Sequence, residues 1–335
     1  MILGRHLIAT GLLVAGIAAG CAADRPTIQQ AAAQAPEPTA TPATDPAPTP
    51  TPEPTPSPTP TPGPSFGEPA PNGRRAPAVP DDPAEVAALL TAAELTIRGE
   101  PTMGLDVADA GHLQQLVYRR WSARLDWDEL ILPTLPEAIR PAAELHLTAR
   151  RAFREMPTTT GPATELPRWE IIAPASAEDL LAFYQEAAAE TGIGWEYLAA
   201  INLVETGIGR IDGLSSAGAQ GPMQFIDTTW SEIGEGDVND PRDAIRAAAR
   251  LLDQRGGPEN MAQALFGYNN SDFYVTAVEA YATILRDEPA TFAGFYNWEI
   301  YFFTERGDVW LPVGTRFDES TPVDDYIDSS PWAQP

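Results

Sequence analysis

The feature that most limits what this chain can fold into is the run PEPTATPATDPAPTPTPEPTPSPTPTPGPS at residues 36–65. Proline at nearly every second position removes backbone donors and fixes φ, so neither helix nor ladder pairing can propagate there. The favoured state is an extended polyproline II path. Apart from proline the run offers no apolar side chain larger than alanine, and polar, proline-rich sequence continues to about Pro80. Such a composition cannot bury enough surface to offset ordering, so residues 21–80 are expected to be a disordered Pro/Thr-rich tether. About 60 residues at roughly 3.1 Å each would reach on the order of 150–190 Å when fully extended. Core formation is left to the chain after Asp81.

Charge narrows the function classes. Acidic residues number 47 against 21 basic ones, every basic residue is Arg, and the net charge is −26. This balance argues against nucleic acid, which rewards basic patches, and against charge-driven docking on anionic lipid. A neutral, hydrogen-bonding polymer such as a glycan stays compatible. Cys21 is the one cysteine, so the chain can form no internal disulfide or thiolate metal site. His6, His112 and His146 lack metal-ligand spacing. No metal and no organic cofactor are expected.

Arg5 and His6 precede an apolar stretch at residues 7–17 that ends in Ala18-Ala19-Gly20-Cys21. The stretch is too short to span a bilayer and suits a signal-peptide core. Small residues before a lone Cys resemble a bacterial lipobox. The resemblance implies that residues 1–20 are a lipoprotein signal peptide, that Cys21 is lipidated, and that the protein is extracytoplasmic and anchored to the bacterial cell membrane by its acyl chains. An ordinary signal cleaved near Ala19, with Cys21 incidental, is the plainer alternative.

From Asp81 the pattern turns helical, and the fold class is mostly α. Asp82-Pro83 opens a helix that Gly99 stops. Two more helical patterns follow, GHLQQLVYRRWSARL and PAAELHLTARRAFREM, and together they make residues 81–170 a small helical lead-in with no evident chemistry. Residues 171–290 form a second helical block, opened by Ser176 with Asp179 in a capping arrangement. Residues 291–335 are an extension in which NWEIYFFTERGDVWLPV suggests a short hairpin around Arg306-Gly307-Asp308.

One carboxylate stands out in the second block. The segment 195–205, WEYLAAINLVE, has hardly any polar face, so its helix is buried all round. Glu205 lies on the face of Leu198 and Ile201. Burial there favours the neutral carboxyl, the form a general acid needs near neutral pH. A structural pairing with Arg210 or Arg246 is the plainer alternative. The loop behind it carries Gly207, Gly209, Gly213, Gly218 and Gly221, which permit close backbone approach. Ser215, Ser216 and Gln224 add groups suited to sugar hydroxyls, and Asp227 is placed to cap the next helix.

Glu205-Thr206, followed by Ser216-Ala217-Gly218-Ala219-Gln220-Gly221-Pro222-Met223-Gln224-Phe225 and later by Tyr268-Asn269, resembles the lytic transglycosylases of the lysozyme-like superfamily, both the soluble and the membrane-bound type B-like forms. The resemblance covers about residues 170–290 and implies a lysozyme-like catalytic domain. It implies that Glu205 protonates the bond between N-acetylmuramic acid and N-acetylglucosamine in peptidoglycan, then takes the proton of the muramoyl O6 hydroxyl as that oxygen closes a 1,6-anhydro ring. Ser216, Met223, Gln224, Tyr268 and Asn269 are the substrate-binding residues it implies. A second carboxylate, which most glycosidases use, then has no necessary task, although Asp227 stands where the family often has Pro. Two other readings remain open: a goose-type muramidase with water as acceptor, and a catalytically idle peptidoglycan-binding lipoprotein. A monomer is assumed.

Overall fold

The computed structural model describes residues 63–157 and 161–334. The signal segment, Cys21 and most of the tether lie outside the described residues. In chain order the elements begin with strands β1 (Phe66–Pro69) and β2 (Arg75–Pro77), then helices α1 (Pro83–Ile97), α2 (Val107–Trp121), α3 (Asp128–Ile131) and α4 (Arg140–Glu155). Strands β3 (Glu165–Leu166) and β4 (Glu170–Ile171) lead to α5 (Ala177–Thr191), α6 (Trp195–Thr206) and β5 (Ile211–Asp212). Next come α7 (Asp227–Ile233), α8 (Pro241–Gln254), α9 (Met261–Tyr268), α10 (Asp272–Asp287) and α11 (Phe292–Tyr296). The chain closes with β6 (Ile300–Thr304), β7 (Gly307–Leu311), β8 (Thr321–Pro322) and α12 (Val323–Ser329). Among the described residues the strands form two-stranded ladders, and no helix is long and apolar enough to cross a membrane.

Local chemistry starts the helices where the sequence places them. The Asp82 carboxylate accepts from the Ala84 and Glu85 amides, and Ser176 Oγ accepts from Asp179 N at 3.0 Å. Asp240 caps α8 in the same way, accepting from Asp243 N at 3.0 Å. Each satisfies an amide that has no partner inside its helix.

The lead-in is not a separate body. One face of α4 gives Ala143 and Leu147 to a core with α1 and α2; another gives Ala142, Ala149, Ala152 and Phe153 to the core of α5, α6, α8, α9 and α10. His146 sits between the two, fully buried and stacked on Tyr118 with ring centroids 4.2 Å apart. Burial holds its pKa well below the usual histidine value. His112 is equally buried, with Nε2 2.7 Å from the Tyr301 hydroxyl, and is pushed down to about 3. Both are core residues.

Residues 66–77, expected to lie within the tether, form regular structure. β1 and β2 pair as an antiparallel hairpin, and Ala70 and Ala76 pack against Tyr301 and Trp310. Those aromatic partners come from more than two hundred residues downstream, so the local sequence carries no sign of them. The second hairpin is present where expected, β6 pairing β7 from Ile300↔Leu311 to Thr304↔Gly307. The pairs β4–β5 and β3–β8 hold residues 165–171 and the C-terminal extension together around Leu166, Trp169, Ile171, Ile211, Ile300 and Val309. The extension thereby reaches the end of α6.

Candidate active site

Helix α6 buries Leu198, Ala199, Ala200 and Ile201 completely, so its last turn is carried into the interior. Gly207, at φ +62°, ends it in the left-handed region, and a Cβ there would strike Ile300 Cδ1. The loop is tied to the helix end through one carbonyl: Asn202 Nδ2 and Thr206 Oγ1 both donate to Pro222 O, at 2.8 and 2.7 Å. Tyr184 fixes Asn202 by donating to its Oδ1 at 2.6 Å. Farther along, Gln220 and Phe225 exchange amide–carbonyl bonds of 2.9 Å around a tight turn. That turn holds Gly221 at φ +72° and Gln224 at φ +50°. A non-glycine residue in this region costs about 1–3 kcal/mol and persists only where its surroundings enforce it.

Glu205 is 5% exposed. Tyr274 donates its hydroxyl to Oε1 at 2.8 Å, while Oε2 makes no hydrogen bond among the described residues. Burial pushes the carboxyl up to about 8, with the Tyr274 bond opposing. The negative end of the α6 dipole acts in the same direction as burial. At neutral pH the group is mostly protonated, with Oε1 engaged as an acceptor and the proton left on Oε2. The plainer pairings are absent: Arg210 donates to the Gly207 and Tyr296 carbonyls, and Arg246 pairs with Glu190 at 2.7 Å.

The residues named from the sequence divide. Tyr268 stacks parallel to Tyr274, centroids 6.4 Å apart, and donates to Met223 O at 2.7 Å. It supports the residue that touches Glu205. Met223 is fully buried in the core. Gln224 is buried, donates through Nε2 to Gly221 O at 3.0 Å, and keeps Oε1 without a partner. Asn269 is buried at the start of the α9–α10 turn. Ser216 is exposed; the loop is held instead by Ser215, whose Oγ accepts from the Ala217 and Ala219 amides at 3.2 and 3.0 Å. Asp227 is exposed, accepts from Gln220 Nε2 at 2.6 Å, and is the first residue of α7, whose N-cap is Ile226.

Sequence reasoning missed the partner and one wall. Nothing in DFYVTAVEAY marks Tyr274 above its neighbours. A cavity of about 120 Å³ contains Glu205, and its walls include Trp298 and Ile300 from the extension and Arg119 and Arg150 from the lead-in. The lead-in, expected to carry no chemistry, thus forms part of the site. Among the described residues no group of three or more His, Cys, Asp or Glu side chains is placed to hold a metal ion.

Residues 182–288 match the family model of the transglycosylase SLT domain. The match spans 107 of the 335 residues, so the similarity is one of this segment. Members of that family are lytic transglycosylases of the lysozyme-like superfamily, acting on peptidoglycan. Neither the curated proteins nor the solved structures yield a match to the chain. The SLT segment holds Glu205, Tyr268 and Tyr274, whereas Arg119, Arg150, Trp298 and Ile300 stand outside it.

Proposed function

We propose that Glu205 is the acid and then the base of a lytic transglycosylase that cleaves the β-1,4 bond between N-acetylmuramic acid and N-acetylglucosamine. The observation that carries this reading is the buried, largely neutral Glu205 carboxyl at the end of α6, inside a segment of the SLT family. Oε2 gives its proton to the glycosidic oxygen as the C1–O4 bond breaks. The muramoyl O6 attacks C1, and the Glu205 carboxylate takes the O6 proton. Atoms balance without water, and the sugar ends as a 1,6-anhydro ring. A neutral acid with a pKa near the working pH suits both halves of this cycle. Tyr274 keeps Oε1 as acceptor throughout, so the proton moves on and off a single oxygen. The orphaned Gln224 Oε1 would accept from an amide N–H of the sugar's acetamido group.

Product analysis on purified sacculi tests the proposal. Mass spectrometry is expected to show anhydro-muramoyl ends from the native protein and none from E205Q. Reducible muramic ends would establish hydrolysis instead, and equal digestion by native protein and E205Q would remove Glu205 from the chemistry.

A further inference from the structure

In a chain of net charge −26, three guanidinium groups gather behind the Glu205 cavity: Arg119 from α2, and Arg150 and Arg154 from α4. One carboxylate answers them. Asp308 on β7 accepts from Arg119 Nε at 2.8 Å and from the same guanidinium's NH2. Arg119 draws Asp308 below its usual pKa against the effect of burial. Arg150 and Arg154 have no carboxylate within 4.0 Å among the described residues, and Arg150 Nε is buried without a partner. Two positive charges are therefore in excess. The other carboxylate of the cavity, Glu299, lies 3.6 Å from Arg74 and accepts from Trp310 Nε1 at 3.4 Å.

Arg150 is half-buried with its Nε fully enclosed, and a guanidinium held partly out of water with no carboxylate partner is costly, so its presence beside the proposed reaction site asks for a reason. Tuning the acid is not that reason, because burial and the Tyr274 bond are what set the proton affinity of Glu205. Packing alone does not call for an arginine in a wall shared with Phe153 and Tyr281. Burial and the neighbouring Arg119 draw Arg150 down to about 10, which leaves it charged at neutral pH. Its guanidinium is within hydrogen-bonding reach of the Tyr281 hydroxyl but meets no carboxylate among the described residues, and a planar, charged fork so placed is suited to one.

We propose that Arg150, backed by Arg154 and Arg119, is a carboxylate-binding subsite for the substituent at O3 of the muramoyl sugar. The inference rests on the reading of this cavity as a peptidoglycan cleft. Muramic acid differs from glucosamine by a lactyl ether at O3. That ether ends in a free carboxylate when unsubstituted and in an amide-linked, carboxylate-bearing peptide when not. Recognition there selects muramoyl glycan over uncharged glucosamine polymers of the same backbone.

Calorimetric titration of the full chain tests it, in the E205Q background so that no ligand is cleaved. Three tetrasaccharides are compared at neutral pH: alternating N-acetylglucosamine–N-acetylmuramic acid with free lactyl groups, the same glycan carrying stem peptides, and the uncharged N-acetylglucosamine tetramer. A charge-assisted pair is worth about tenfold or more in affinity, so one or both carboxylate-bearing ligands should bind at least about tenfold more tightly than the tetramer. Which of them is preferred identifies the carboxylate. Adding R150Q or R154Q should erase most of that preference, R150K should restore part of it, and R246Q on the exposed face of α8 should change nothing. A preference untouched by R150Q, or an equal loss for all three ligands, overturns the subsite and leaves the cleft reading standing. Binding of none of the three overturns the cleft reading and the subsite with it.

Discussion

Replacing Glu205 with Gln removes activity under the proposed chemistry, and the same substitution should make the protein more stable. The carboxyl has an ordinary value of 4.5 and is pushed up to about 8 in the fold. Below pH 4.5 the folded and unfolded chains both hold the proton, and the group is without effect on the pH dependence. As pH rises the unfolded chain releases the proton and the folded chain retains it, so stability falls by about 1.4 kcal/mol per unit until about pH 8, where it levels. At pH 7 the accumulated penalty is on the order of 3 kcal/mol. Gln carries no such penalty, has nearly the same volume, and keeps a carbonyl oxygen to accept from Tyr274. For a domain of this size about 1 kcal/mol corresponds to 2–4 °C, so E205Q should melt roughly 6–12 °C above the native protein at pH 7. The two should coincide near pH 4. Differential scanning calorimetry of both proteins at several pH values between 4 and 8 provides the measurement. A difference in Tm that does not grow with pH, or an E205Q protein less stable at pH 7, would refute the buried neutral carboxyl.

Two further substitutions probe the parts that hold the acid. Y274F removes the hydroxyl that favours the Glu205 anion, so the alkaline limb of the pH–rate profile should move above about 8 while kcat on solubilised glycan drops about tenfold through lost orientation. A limb that stays in place or moves down would show that Tyr274 does not act on Glu205. G221A places a Cβ against the Val238 carbonyl at φ +72°, a strain of about 1–3 kcal/mol that should lower Tm by several degrees and activity with it. An unchanged Tm would mean that the turn carrying Gln224 is not rigid.

The helices were legible because their information is local. Asp82, Ser176 and Asp240 name their own helix starts by accepting from amides two or three residues on. The all-apolar pattern of α6 announces burial without reference to anything else. The motif running from Glu205 to Asn269 is local in the same manner, and it lies within the segment that matches the transglycosylase SLT model. The hairpin Phe66–Pro77 was not legible, since its order depends on Tyr301 and Trp310.

The sequence by itself determined that a carboxyl would end a helix too apolar to be solvated, and that it would be neutral for that reason. Tertiary structure alone decided what meets it. Tyr274 reaches Oε1 because α10 packs along α6, sixty-nine residues away. Arg150 enters the same cavity because α4 shares a core with the SLT segment. A local pattern can fix whether a group is charged, since burial follows from its own helix. It cannot fix the group's partner or the far wall, because these depend on which distant surfaces bury against each other.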